Sequence, residues 1–145
     1  IFLEGDFFIV KRDVILSKIS QLKEYIDFLK EIRNIPKEEY ISNKFVYGSA
    51  ERFLQLAIEA IFDICSHVIS DLRLRKPENY KDIFKVLFEN NIISKTQFEK
   101  FSKMAGFSNI LVHDYAKINR EMVYEIILNN LNDFEEFIDT ISEYI

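Results

Sequence analysis

Asn109, His113 and Tyr115 are the side chains of this sequence whose types and spacing best suit chemistry. They lie in KMAGFSNILVHDYAK (103–117), polar groups set among Ile110, Leu111 and Val112. Asn109 and His113 are four residues apart, so a helix presents both on one face. Tyr115 follows just past the expected helix end, close enough to reach that face. An imidazole titrates near neutral pH and can take or give a proton. The structural alternative is a histidine stationed at a helix C-terminus, where the helix dipole favours its charged form.

Other chemistries are poorly supplied. The sequence has no Gly-rich phosphate loop, no HExxH, no paired-cysteine motif and no nucleophile elbow. Its two histidines, His67 and His113, fall on different expected helices, and Cys65 is the single cysteine. No metal site and no cofactor are expected from so sparse a ligand set. Cys65 sits in an apolar run and reads as a small buried hydrophobe. A net charge of −5 argues against binding nucleic acid through overall charge. The distribution is uneven, however: Val68 to Lys103 carries eight Lys/Arg against five Asp/Glu, and Glu121 to Ile145 carries seven acids and no base. A basic middle beside an acidic tail permits local phosphate contact.

These residues need a scaffold, and the sequence predicts helices. At 145 residues, 48% hydrophobic and 30% charged, with fourteen Phe, the chain suits a single domain, 1–145, with a substantial core. Ile15, Ile19, Leu22, Ile26 and Leu29 are spaced +4, +3, +4, +3, one face of a helix from about Asp13 to Arg33. Pro36 ends that approach. Ser42 is expected to cap a second, mostly apolar helix reaching about Leu72. Its polar residues Glu51, Gln55, Glu59, Asp63 and His67 recur every four positions, so the row winds across the helix. With Arg52 this row predicts either a polar network in the bundle core or a polar lining facing His113 or a partner. Pro77 and Glu78 open a third helix to about Asn90. Ser94, with Glu99 further on, opens a fourth toward Val112, and Asn119 caps the last, where Val123, Ile126, Ile127, Leu131, Phe134, Ile138 and Ile141 keep helical spacing. The expected fold is all-α: an antiparallel bundle of about five helices. Glu4 and Asp6 interrupt the apolar N-terminal stretch, and no run approaches the about 20 apolar residues of a membrane span. Neither signal peptide nor membrane partner is expected, and a cytoplasmic location is.

Met104, Ala105, Gly106, Phe107, Asn109, His113 and Tyr115 closely resemble the signature of HepT-like toxins of the HEPN superfamily: Met-Ala-Gly-Phe, then Arg, Asn, three residues, His, one residue and Tyr. The resemblance extends to AERFLQLAIEAIFDICSHVI, KPENYKDIFKVLFENNII and the run from Ile118 to Leu128, and so covers the chain from about Ser49 onward. It implies a HEPN-like homodimer with its sites across the twofold axis. It also implies a metal-independent endoribonuclease acting on tRNA or mRNA. Such a nuclease is the toxin of a type VII (HEPN/MNT) pair, neutralised by a small nucleotidyltransferase antitoxin. On this reading His113 is the general acid/base, Asn109 orients it or the phosphate, and Tyr115 lines the site and is the hydroxyl that the antitoxin AMPylates. Adding AMP puts bulk and negative charge where an RNA phosphate must sit. Arg52, Glu59, Asp63 and His67 then support His113 or line the dimer cleft.

One residue departs from the signature. Its Arg falls at position 108, where this chain has Ser108. A hydroxyl carries no charge and cannot replace a guanidinium beside a crowded, negative phosphorus; loss of such a donor costs about 10²–10³ in rate. Arg120 is too far along the sequence to stand in directly, whereas Arg52 could approach from the second helix. An attenuated or inactive toxin is therefore expected. The competing reading is a non-catalytic HEPN module that docks a nucleotidyltransferase or holds a nucleotide.

Overall fold

The computed structural model describes residues 4–112 and 119–145, with side chains from 12 to 111 and from 119 onward. It contains α1 (Glu4–Arg33), α2 (Lys37–Ser42), α3 (Lys44–Asp71), α4 (Tyr80–Glu89), α5 (Lys95–Val112) and α6 (Arg120–Ser142). No strand occurs among the described residues. The all-α class holds, with six helices in place of the expected five. The addition is α2, a single six-residue segment whose N-cap is Pro36 and whose one buried residue is Tyr40.

Side-chain pairs fix how the helices run. Phe28 of α1 stacks on Phe53 of α3, ten residues from the Lys18–Asp63 ion pair. As the number falls by ten on α1 it rises by ten on α3, so the two helices are antiparallel. The same test makes α5 antiparallel to α6, through Gln97 with Thr140 and Lys100 with Glu136. Tyr124 donates to the Ile35 carbonyl at 2.6 Å and Lys30 pairs with Glu135, so α6 is also antiparallel to α1. It follows that α3 and α6 run parallel, and their first turns meet at one end of the bundle.

The predicted apolar faces all point inward: Ile15, Ile19, Leu22, Ile26 and Leu29 are buried, as are the seven periodic positions of α6. The central helix is α3, with eleven buried residues. It is long and apolar enough to cross a membrane, yet 56% of its most apolar stretch is buried inside the bundle. Aromatic rings join the rest: Phe101 of α5 packs against Phe84 of α4 and Phe137 of α6.

Helix ends differ from expectation in informative ways. Asn43, not Ser42, caps α3 by accepting from the Phe45 amide at 3.0 Å, while Ser42 closes α2 by donating to the Glu39 carbonyl. Pro77 and Glu78 stay outside α4, which Asn79 caps by accepting from the Asp82 amide. Ser94 does open α5, in a reciprocal capping box whose partner is Gln97 and not Glu99. Asn119 caps α6 as expected, accepting from the Glu121 and Met122 amides. Two helices end in paired 6→1 and 5→2 backbone bonds around a left-handed residue: Arg73 (φ 55°) after α3 and Asn91 (φ 59°) after α4.

Candidate active site

The C-terminal half of α5 sorts the motif into two faces. Met104, Ala105, Ser108 and Leu111 are buried, whereas Gly106 and Asn109 are exposed. Asn109 is thus presented to solvent. His113 and Tyr115 themselves fall within 113–118, outside the described residues. Ser108 keeps only 6% exposure. The substituted position is therefore both uncharged and turned toward the protein interior. A Cβ built on Gly106 meets nothing within 4 Å among the described residues.

The motif segment connects α5 to α6, and the first turn of α6 lies against α2 and α3. Arg120 holds its guanidinium 3.9 Å from the centre of the Tyr47 ring, a cation–π contact. Lys37 pairs with Glu121 at 3.7 Å. Behind them Tyr40 is fully buried against Tyr124, and its hydroxyl has no hydrogen-bond partner among the described residues. Burial pushes the Tyr40 phenol well above its ordinary value, with the Glu51 carboxylate adding to the rise. Burial likewise raises the Glu51 carboxyl, and the Arg120 guanidinium pulls it partly back. Sequence spacing could not reveal this cluster, because its members come from three helices and α2 was not foreseen. The single available signal was Arg120, one residue past the α6 cap.

The polar row of α3 is an exterior ladder. Arg52 donates to Gln55 at 3.3 Å, Gln55 donates to Glu59 at 3.2 Å, and Asp63 pairs with Lys18 at 3.4 Å. Arg52, Glu59 and Asp63 are exposed and His67 is half-buried. The core-network expectation is thereby corrected: α1, α4, α5 and α6 cover the other faces of α3 and leave this stripe open. The described contacts of Arg52 engage Gln55, so the structure brings together Arg52 and Glu59 through Gln55, and Asp63 with Lys18 instead.

Comparison with known proteins gives the site its context. The family model described as ribonuclease HepT-like matches residues 22–141. The mRNA nuclease HepT of Shewanella oneidensis is 32% identical over 129 residues, covering 89% of this chain and 96% of that protein. The tRNA nuclease HepT of Aphanizomenon flos-aquae is 27% identical, covering 91% of this chain and 90% of that protein. Among solved structures, the tri-AMPylated Shewanella oneidensis HEPN toxin in complex with MNT antitoxin superposes with a TM-score of 0.82 at 31% identity. That match covers 90% of this chain and 98% of the toxin chain. The chain belongs to the HepT-like ribonuclease family.

Proposed function

We propose that this chain is the endoribonuclease toxin of a HEPN/MNT toxin–antitoxin pair, working without metal and attenuated by Ser108. The observation that carries the reading is the family match over 22–141 together with the Asn109, His113, Tyr115 spacing at the end of α5. In this mechanism His113 takes the proton of an RNA 2′-hydroxyl, whose oxygen attacks the adjacent phosphorus. The bond to the 5′-oxygen breaks, and a proton returned to that oxygen releases it. The products are a 2′,3′-cyclic phosphate and a 5′-hydroxyl. Asn109, exposed on α5, orients the imidazole or a phosphate oxygen. The exposed face of α5 around Gly106 and Asn109 suits a twofold mate, which would complete the cleft from two half-sites.

Regulation follows from the relatives. The Shewanella toxin is AMPylated in complex with its MNT antitoxin. By analogy Tyr115 is the acceptor here and a nucleotidyltransferase is the partner. The burial of Ser108 favours a second reading, a non-catalytic module that only docks that partner.

One experiment separates them. Labelled tRNA and mRNA are incubated in EDTA with the chain, with Ser108→Arg and with Ser108→Arg/His113→Ala. Cleavage by Ser108→Arg that survives chelation and disappears with His113→Ala supports the nuclease. If Ser108→Arg leaves both RNAs intact, the docking module stands instead.

A further inference from the structure

Away from the motif, a groove of about 440 Å³ lies between the C-terminal half of α3, the 72–79 connection and the start of α4. Its size falls within the range of small-ligand sites. Buried Ile69 and Ile83 form its floor, and Ser66, Ser70 and Lys76 its exposed rim. Tyr80 stands on one wall. Its ring stacks on Phe62 with centroids 4.2 Å apart and planes inclined by 6°, yet the residue remains 49% exposed. One face of the ring is thus braced by Phe62, while about half of the residue remains in solvent.

The surrounding charge selects what that group carries. Arg75 donates to both Asp82 and Glu89, bidentately to Asp82 at 2.8 Å, which consumes both acids. Lys76 and Glu78 are the charged residues of the lining; Arg73 and Lys81 flank it in sequence, and neither they nor Lys76 form an ion pair among the described residues. On a chain of net charge −5, the stretch 73–81 thus leaves three cations unpaired against Glu78, next to a half-exposed aromatic ring. Stacking rings flanked by cations are how proteins hold single-stranded nucleic acid without reading its sequence.

We infer that this groove holds one base of a single-stranded RNA segment outside the cleavage site, the base on Tyr80 and the neighbouring phosphate at Lys76. The inference rests on the nuclease reading for its choice of RNA. Binding of a labelled single-stranded oligoribonucleotide to the full chain in EDTA tests it by fluorescence anisotropy. Tyr80→Ala should weaken binding about tenfold, while Tyr80→Phe, which keeps the ring, should match the parent. Lys76→Ala should reduce the slope of log affinity against log salt by about 0.7. On the Ser108→Arg background, Tyr80→Ala should raise KM for the oligonucleotide and leave its kcat, and cleavage of a dinucleoside phosphate, unchanged. Since removing the ring also removes its stack on Phe62, photocrosslinking of 4-thiouridine RNA to the unmodified chain provides an independent check. The crosslink should fall on peptides containing Tyr80 or Ser66. Parental affinity in Tyr80→Ala, a crosslink elsewhere, or Tyr80-dependent binding of AMP without an effect on RNA would each overturn the inference. RNA that binds through Tyr80 and is never cut, even by Ser108→Arg, would instead sink the nuclease reading alone.

Discussion

At position 108 two requirements conflict. The phosphate chemistry wants a guanidinium, while the helix turns this position inward, with Met104, Ala105 and Leu111 beside it on the same face. An arginine introduced there must run its methylene stem over apolar surface to bring its charge to water. Ser108→Arg should therefore raise RNA cleavage by about 10²–10³ while lowering the thermal midpoint, read by circular dichroism. A gain in stability with no gain in rate would contradict this account. Glu51 yields a second prediction at this scale. Its carboxyl is raised above its ordinary value chiefly by burial, so the folded state binds a proton more tightly than the unfolded chain. For an acid with a raised folded-state value, stability falls as pH climbs from the unfolded value, 4.5, through the folded one. Glu51→Gln should then stabilise the chain at pH 7 and have little effect below pH ~4. Thermal melts at both pH values check it, and an equal gain at both would show that charge is not the cause. The choice of His113 rests on residue spacing and the family signature, and the residue lies outside those the structure describes. The burial of Ser108 was not legible in the sequence, because it depends on which side of α5 the other helices cover.

The elements show where sequence reasoning works and where it stops. Residues spaced for one helical face in α1 and α6 are all buried, since a long periodic stripe has only one low-energy way to meet a core. Six-residue α2 was missed because KEEYIS offers two adjacent apolar residues, Tyr40 and Ile41, and no period to detect. Pro36 reads equally well as the end of one helix or the opening of the next, and here it does both. The polar row of α3 misled for a related reason: its spacing said that it winds, but only the neighbouring helices decide which side stays open. The end of α3 carries its own prediction. Arg73 occupies the left-handed position that glycine adopts at least cost, and its amide and that of Leu74 close the helix. Arg73→Gly should stabilise the fold by about 1 kcal/mol, raising the thermal midpoint by about 3 °C. If Arg73 also serves the cationic groove, the same variant should bind single-stranded RNA more weakly; a stabilised protein with undiminished RNA affinity would separate the two roles.

Across the whole molecule, the parallel pairing of α3 with α6 and the antiparallel pairing of α5 with α6 bring the first turns of α3 and α6 and the last turn of α5 to one end. The first turn of α6, which follows the motif segment directly, meets Tyr47 and Glu51 of α3. The exposed end of α5 leaves Gly106 and Asn109 open on the surface. A glycine inside a helix costs about 0.5–1 kcal/mol relative to alanine, and none of the described residues occupies the space over Gly106. The described residues give no reason for glycine at this position, whereas close approach of a second chain would. A longer side chain there discriminates between the two. Gly106→Gln has room in the monomer, so circular dichroism and thermal melting should report an intact or slightly stabilised fold. Across a twofold contact the added atoms would meet the partner copy, so analytical ultracentrifugation should show the parent as a dimer and the variant shifted toward monomer. Because the proposed cleft needs two half-sites, cleavage by the Ser108→Arg form should fall in parallel with dimer content and recover at high protein concentration. A Gly106→Gln protein that stays dimeric and fully active would move the twofold axis away from α5, and the shared cleft with it.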